Sequence, residues 1–355
     1  MKILCLLAVF ATSTSLLLAA EPQARPNRDM QAVLDQLGAL GGKPIEQLTP
    51  QEARQQPSPA DAVKALLKKR DQSVAPEVVA HVENKSIPGP GGEIPIRIYT
   101  PAGQGPFPVI VYIHGGGWVI ADLDTYDSSP RALANAAHAV VVSTHYRMAP
   151  EHPFPASHED VFAAYQWVRN HAGSFNGNPG RLAVVGESAG GNMAVGISLM
   201  ARSQNLPLPV YQVLIYPVAG TNMNTPSYLE NAKAKPLNKP MMQWFANHEL
   251  PNPKDKEDPR IDLEHADLRG LPSTTIIGAE IDPLRSEGNH LSEMLKAAGV
   301  EVTYKNYEGV THEFFGMGAV LAESRAATKL AAKNLMKAFS HSDDLSPKGK
   351  TEASR

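Results

Sequence analysis

The sequence predicts an α/β fold, a mostly parallel central sheet with helices on both faces. Two patterns predict it. Short apolar runs recur along the chain, at Val109 to Ile113, Ala139 to Thr144, Leu182 to Val185, Val210 to Tyr216 and Thr274 to Gly278. They lack the polar alternation of a half-exposed strand, as strands covered on both faces must. Between them stand stretches whose apolar residues return at three and four: Val161, Tyr165 and Val168, then Met193, Ala194, Ile197, Met200 and Ala201. That spacing marks one face of a helix. Strand and helix in alternation wind into a sheet with helices on each side. At 355 residues the chain suffices for one large domain with insertions. Hydrophobic residues make up 43% and charged residues 19%, the balance of a globular protein. A formal charge of −3 with no basic stripe argues against a nucleic-acid partner.

Residues 1–20 read as a signal peptide. Lys2 precedes the apolar run Ile3 to Phe10, and small residues close the segment at Ala19 and Ala20. Thr12, Ser13, Thr14 and Ser15 interrupt the run, which argues against a single membrane anchor. The expectation is cleavage after Ala20, a periplasmic or secreted chain, and no stable membrane anchor afterwards. Cys5 is the one cysteine, so the mature chain would hold no disulfide. Removing one base and no acid takes the formal charge from −3 to −4.

Residues 21–77 form an N-terminal helical segment. Met30, Val33, Leu34, Leu37 and Leu40 lie at helical spacing, and a second helix is expected over Ala60 to Lys69. With no strand between them these helices cannot make a core of their own, so they pack over the main body as part of a cap. Residues 78–340 carry the main domain. It opens with period two, Ile94, Ile96 and Ile98 sharing one face of a strand bracketed by Pro88 to Gly92 and by Pro101. After Thr274 to Gly278 comes a helix with Leu291, Met294, Leu295 and Ala298, ended by Gly299, then a strand at Val302 to Tyr307. Residues 219–270 break the alternation. They are rich in Asn, Pro and Lys, hold one expected helix around Pro240 to His248, and read as an insertion above the site. Residues 341–355 are polar and expected to be disordered.

Gly186-Glu187-Ser188-Ala189-Gly190 satisfies G-x-S-x-G. The pattern recurs by chance in glycine-rich loops, but here an apolar strand precedes it and a helical run follows, the setting of a nucleophile elbow. A serine nucleophile needs a base, and the base needs an acid to orient it, in the chain order Ser, acid, His. Asp282 follows one late strand and His312 the next. An Asp before Pro also serves as a turn or cap, and a lone His among twelve is commonly a surface residue. The required order and the post-strand positions favour the catalytic reading, with Glu280 as the rival acid. An oxyanion needs backbone donors, and His114-Gly115-Gly116-Gly117-Trp118 follows a strand where glycines bring N–H groups close, joined by the N–H of Ala189. A merely flexible glycine loop is the plainer alternative. A phosphate cradle fits less well, because no Gly-Lys-Ser/Thr follows.

With these motifs, and with Tyr146 to Ala156, Asp282-Pro283-Leu284-Arg285 and His312-Glu313-Phe314-Phe315, the chain resembles the hormone-sensitive-lipase-like carboxylesterases of the α/β-hydrolase fold from about Ile94 to Phe339. The resemblance implies Ser188, Asp282 and His312 as triad, and Gly116, Gly117 and Ala189 as oxyanion donors. It also implies a helical cap and no metal or cofactor. The family commonly has Asp or Thr at Glu187, Asp at His145 and Gly at Glu313. The expected partner is a small-molecule ester of short to medium acyl chain, hydrolysed through an acyl-enzyme. An amidase or other acyl hydrolase on the same triad is the alternative, followed by a ligand-binding protein on a retired scaffold, against which the complete constellation counts.

Overall fold

The computed structural model describes residues 24–344. The expected signal peptide and all but the start of the polar tail lie outside these residues. The chain opens with α1 (Arg28–Ala39), capped by the Asn27 side chain, which accepts from the Met30 N–H at 2.9 Å. A 3₁₀ turn at Ile45–Gln47 leads to α2 (Pro50–Ala53), and then α3 (Pro59–Lys69) starts at a capping box between Ser58 and Asp61. Met30 and Val33 of α1 pack with Ala62 and Leu66 of α3 and with Val310 and Phe314. Burial of each large side chain is worth about 2 kcal/mol, which is what holds these short helices to the body.

A hairpin, β1 (His81–Gly89) and β2 (Gly92–Thr100), starts the sheet. Then come β3 (Phe107–Ile113), α4 (Ser128–Ala137), β4 (Val140–Thr144), α5 (Ala156–His171), β5 (Gly177–Glu187) and α6 (Ala189–Ser203). After β6 (Gln212–Ile215) stand α7 (Pro226–Glu230) and α8 (Lys239–Glu249), within residues 219–270. The chain closes with β7 (Thr274–Ile281), α9 (Arg285–Ala297), β8 (Val302–Thr311) and α10 (Ala322–Asp344). The sheet order is β1-β2-β4-β3-β5-β6-β7-β8. Pairs involving β1 or β2 are antiparallel, and the other pairs are parallel.

Both faces of the sheet are covered. Val109, Val111 and Ile113 join Val161 of α5, Ile197 of α6 and Leu291 of α9, while Ile110 and Tyr112 join Leu133 of α4 and Leu335 of α10. This is why the central strands show no polar alternation. The edge strand β1 buries little besides Ile87, so its apolar signal is weak. One boundary is corrected: α10 carries the chain as helix to Asp344, past the expected start of a disordered tail at residue 341. The helix also brings Leu335 and Phe339 against the sheet, and their burial favours its continuation.

The insertion is tied back to the body by Glu287 of α9. Its buried carboxylate accepts the Ala219 N–H at 2.7 Å and the Gly220 N–H at 3.0 Å. Burial, opposed by these two donors, pushes the Glu287 carboxyl up to about 8. An unfolded Glu titrates at about 4.3. The folded state therefore holds this proton more tightly, and its contribution is full below the unfolded value and lost as pH rises through the folded one. Between these limits the wild type should lose more Tm than Glu287→Gln, which keeps the shape without ionising. Parallel Tm-against-pH curves for the two proteins would overturn this.

Candidate active site

At the end of β5 the chain turns sharply into α6, and Ser188 occupies the corner with φ 57° and ψ −119°. This conformation is costly for a residue with a Cβ, and strain of this kind gathers at functional sites. The flanking glycines are required. A Cβ on Gly186 would stand 2.0 Å from the Gly190 carbonyl oxygen, and one on Gly190 2.1 Å from that of Ile113. The Ser188 N–H donates to the Ile215 carbonyl at 2.8 Å, so the corner is fastened to β6 as well.

The structure brings Ser188, His312 and Asp282 together. His312 Nε2 is 3.0 Å from Ser188 Oγ, and His312 Nδ1 is 2.7 Å from Asp282 Oδ2. The second Asp282 oxygen accepts the Leu284 N–H at 2.8 Å, which fixes the carboxylate. All three residues are buried. Glu280, the rival acid, is engaged elsewhere, accepting the Gly309 N–H at 2.7 Å. Burial opposes charging of His312, but Asp282, then Glu313 and Glu187, outweigh it and hold the imidazole above its ordinary value. A base so arranged can take a proton from the serine and hold it as an imidazolium.

The loop after β3 borders the same space. Gly116 and Gly117 have φ of 98° and 57°, and a Cβ on Gly116 would lie 2.1 Å from the Ile120 carbonyl oxygen. His114 braces the loop, with Nδ1 2.8 Å from the Gly115 carbonyl and Nε2 3.0 Å from His145 Nδ1. Burial, then the neighbouring His145, lowers His114 to about 3, and burial lowers His145 as well. The Tyr146 hydroxyl donates to the Gly115 carbonyl at 3.0 Å. Gly116 and Gly117 thus border the cavity that Ser188 also lines, and Ala189 opens α6 directly after the serine.

A cavity of about 340 Å³ opens from Ser188 and His312. Leu34 and Leu37 of α1 line it on one side, and Met241, Met242 and Phe245 of α8 on the other. The Trp244 Nε1 donates to the Leu48 carbonyl at 3.2 Å, so the N-terminal segment and the insertion touch above the site.

Of the three departures, His145 stands against His114, and the two glutamates have surroundings of their own. Glu187 is buried, accepting from the Tyr112 and Tyr216 hydroxyls at 2.5 Å each. Burial and then Glu313 push it up to about 7. Glu313 accepts from the Tyr126 hydroxyl at 2.6 Å, and its Oε1 stands 3.8 Å from His312 Nε2. Sequence reasoning marked both glutamates but missed the three tyrosines, whose arrival from β3, the residue after β6 and the loop before α4 has no local signal. Among the described residues no group of His, Cys, Asp and Glu is placed to hold a metal ion, and no helix is long and apolar enough to cross a membrane.

Residues 110–316 match a family model described as the alpha/beta hydrolase fold. The chain is similar to a carboxylesterase of Mycobacterium tuberculosis, 37% identical over 278 residues that cover 76% of this chain and 87% of the relative. It is also similar to an ethyl acetate hydrolase of Pseudomonas putida, 32% identical over 84% of this chain and 94% of the relative. Among solved structures, an esterase of Pyrobaculum calidifontis superposes with a TM-score of 0.78 at 36% identity, covering 85% of this chain and 97% of its own.

A base at His312 Nε2 works only when unprotonated, so activity should fall as pH drops through the histidine's value in the free enzyme. That value is raised, which puts the acid limb of kcat/KM above the ordinary histidine value of about 6.5. A profile on a neutral ester checks this. An acid limb below the ordinary value would show that the facing carboxylates do not act on His312.

Proposed function

The chain belongs to the hormone-sensitive-lipase-like carboxylesterases of the α/β-hydrolase fold, and from that premise we propose that Ser188, His312 and Asp282 are its catalytic triad. It is a carboxylic ester hydrolase. Ser188 Oγ attacks the ester carbonyl while His312 Nε2 takes the serine proton, and Asp282 holds the ring and stabilises the imidazolium. The N–H groups of Gly116, Gly117 and Ala189 receive the negative charge that develops on the carbonyl oxygen. Collapse expels the alcohol with the proton from His312, leaving an acyl-enzyme. Water, activated by the same histidine, then releases the acid. What carries this reading is the continuous line of hydrogen bonds, 3.0 Å then 2.7 Å, from a strained serine at a cavity floor to a buried carboxylate.

The finer substrate class we propose is an ester of short to medium acyl chain, for which the bounded, largely apolar cavity is the support. Each added methylene first gains up to about 0.8 kcal/mol by burial, then meets a filled pocket. Residues 1–20 are proposed to direct export, on the order of basic start, apolar run and small residues.

One series of p-nitrophenyl esters tests the chemistry and the pocket together. Wild-type kcat/KM should peak between acetyl and hexanoyl and fall steeply for palmitoyl, and a folded Ser188→Ala should lose about 10⁴-fold or more. A tenth of wild-type turnover in that variant would rule out Ser188 as nucleophile, and a profile still rising at palmitoyl would rule out the bounded pocket. Protein exported to the periplasm should begin at Glu21. Recovery of the chain with its first residues intact in the membrane fraction would refute export by cleavage.

A further inference from the structure

Glu313 lines the cavity beside Ser188 and His312 without being one of the triad. This residue directly follows His312 and holds φ at 70°, a left-handed conformation that a glycine would adopt without strain. Its side chain is 21% exposed and lines the cavity that contains Ser188. Oε1 is held by the Tyr126 hydroxyl and stands 3.8 Å from His312 Nε2. That nitrogen must hand its proton to the departing alkoxide. The alcohol half of the ester therefore lies on the Nε2 side of the ring, the side where Glu313 stands.

We propose that Glu313 determines specificity for the alcohol half of the substrate, and that the site prefers esters of amino alcohols, whose cation lies a few atoms from the ester oxygen. The inference rests on the carboxylesterase reading and deepens it. Of the charged side chains that line the cavity, Glu313 is the one beside His312. Glu46 adds a second carboxylate to the lining, and its buried Oε2 has no hydrogen-bond partner among the described residues. The lining cations are Lys43 and Lys235, both exposed, and Arg54, paired with Glu151 at 2.6 Å. Glu313 itself is faced by Tyr126, His312, Asp282 and Glu187. Burial holds its carboxyl above the ordinary value, against the pull of His312 and Tyr126, so the preference belongs to the alkaline side where the group is ionised. At a separation of about 5 Å and an effective dielectric constant of about 20, discounted for partial exposure, the attraction amounts to about a tenfold preference.

The test compares butyrylcholine with its neutral isostere, in which carbon replaces the quaternary nitrogen, at about pH 8, well above ordinary carboxylates. The acyl half is then constant and the two alcohols have the same shape. Wild-type kcat/KM should favour the cationic ester about tenfold, the ratio should fall with added salt, and Glu313→Gln should bring it close to one. A wild-type ratio of one or below, a ratio insensitive to salt, or a ratio kept in folded Glu313→Gln would overturn the proposal. The wild-type ratio and its salt dependence decide the matter even if the variant does not fold. Turnover of p-nitrophenyl butyrate without discrimination would sink this inference alone. A folded wild type that cleaves none of the three esters would sink the carboxylesterase reading and this inference with it.

Discussion

The active site depends on a main-chain approach that only glycine permits. Gly190 at the start of α6 lies so close to β3 that a Cβ would stand 2.1 Å from the Ile113 carbonyl oxygen, and a Cβ on Gly186 would strike the Gly190 carbonyl at 2.0 Å. Ile113 and Gly186 are also paired across the parallel β3 and β5 ladder. The loop that follows Ile113 and the serine that follows Glu187 are therefore positioned as one unit. Interiors are too well packed to accept a shift at such a point without moving both neighbours. The strain at Ser188 persists because β6, through the Ile215 carbonyl, and α6 hold the corner from two further sides.

The electrostatics follow from what that corner leaves no room to hydrate. Glu187 is carried into the interior beside the elbow, where two tyrosine hydroxyls replace water. Such donations offset part of the desolvation that burial imposes, and the carboxyl still titrates far above a free one. Across the imidazole from Asp282 stands Glu313, so His312 is faced by carboxylates on both nitrogens. The imidazolium gains from both, but the two glutamates disfavour each other's ionisation. Proton occupancy here is a property of the group of residues more than of any one side chain.

The sheet was legible because its central strands are buried on both faces and read as unbroken apolar runs. Asp282 and His312 were legible by the same signal, since a strand end followed by the required residue type in the required order leaves few alternatives. Strand ends were less legible: β7 continues to Ile281 and β8 to Thr311, right up to the functional residues. Sheet pairing sets those ends, as in the Ile281 and Thr311 register. The sequence reading gave α4 and α10 no place, because alanine-rich faces such as Ala134, Ala331 and Ala332 carry a faint periodic signal. The meeting of Trp244 with Leu48, 196 residues apart, has no local signature at all.

That last contact joins a residue inside the matched family region to one outside it. The matched family region, residues 110–316, contains the elbow, the glycine loop and the triad, so the reaction class follows from it. It leaves out α1, α2, α3 and the 3₁₀ turn after α1, which supply Leu34, Leu37, Glu46, Ala53 and Pro59 to the cavity wall. Arg54 clamps this segment to the body, donating to the Val119 and Ala149 carbonyls at 2.8 Å each and pairing with Glu151. Val119 follows Gly117 by two residues, so the docked segment both borders the cavity and is bonded to the loop after β3. Chemistry is thus fixed at the strand ends, by contacts that tolerate almost no change. The cavity wall, by contrast, takes side chains from separate stretches of sequence, among them the N-terminal helices, α8 and the residue after the histidine. Each of these can change without disturbing the elbow, and specificity can diverge here while the reaction stays constant.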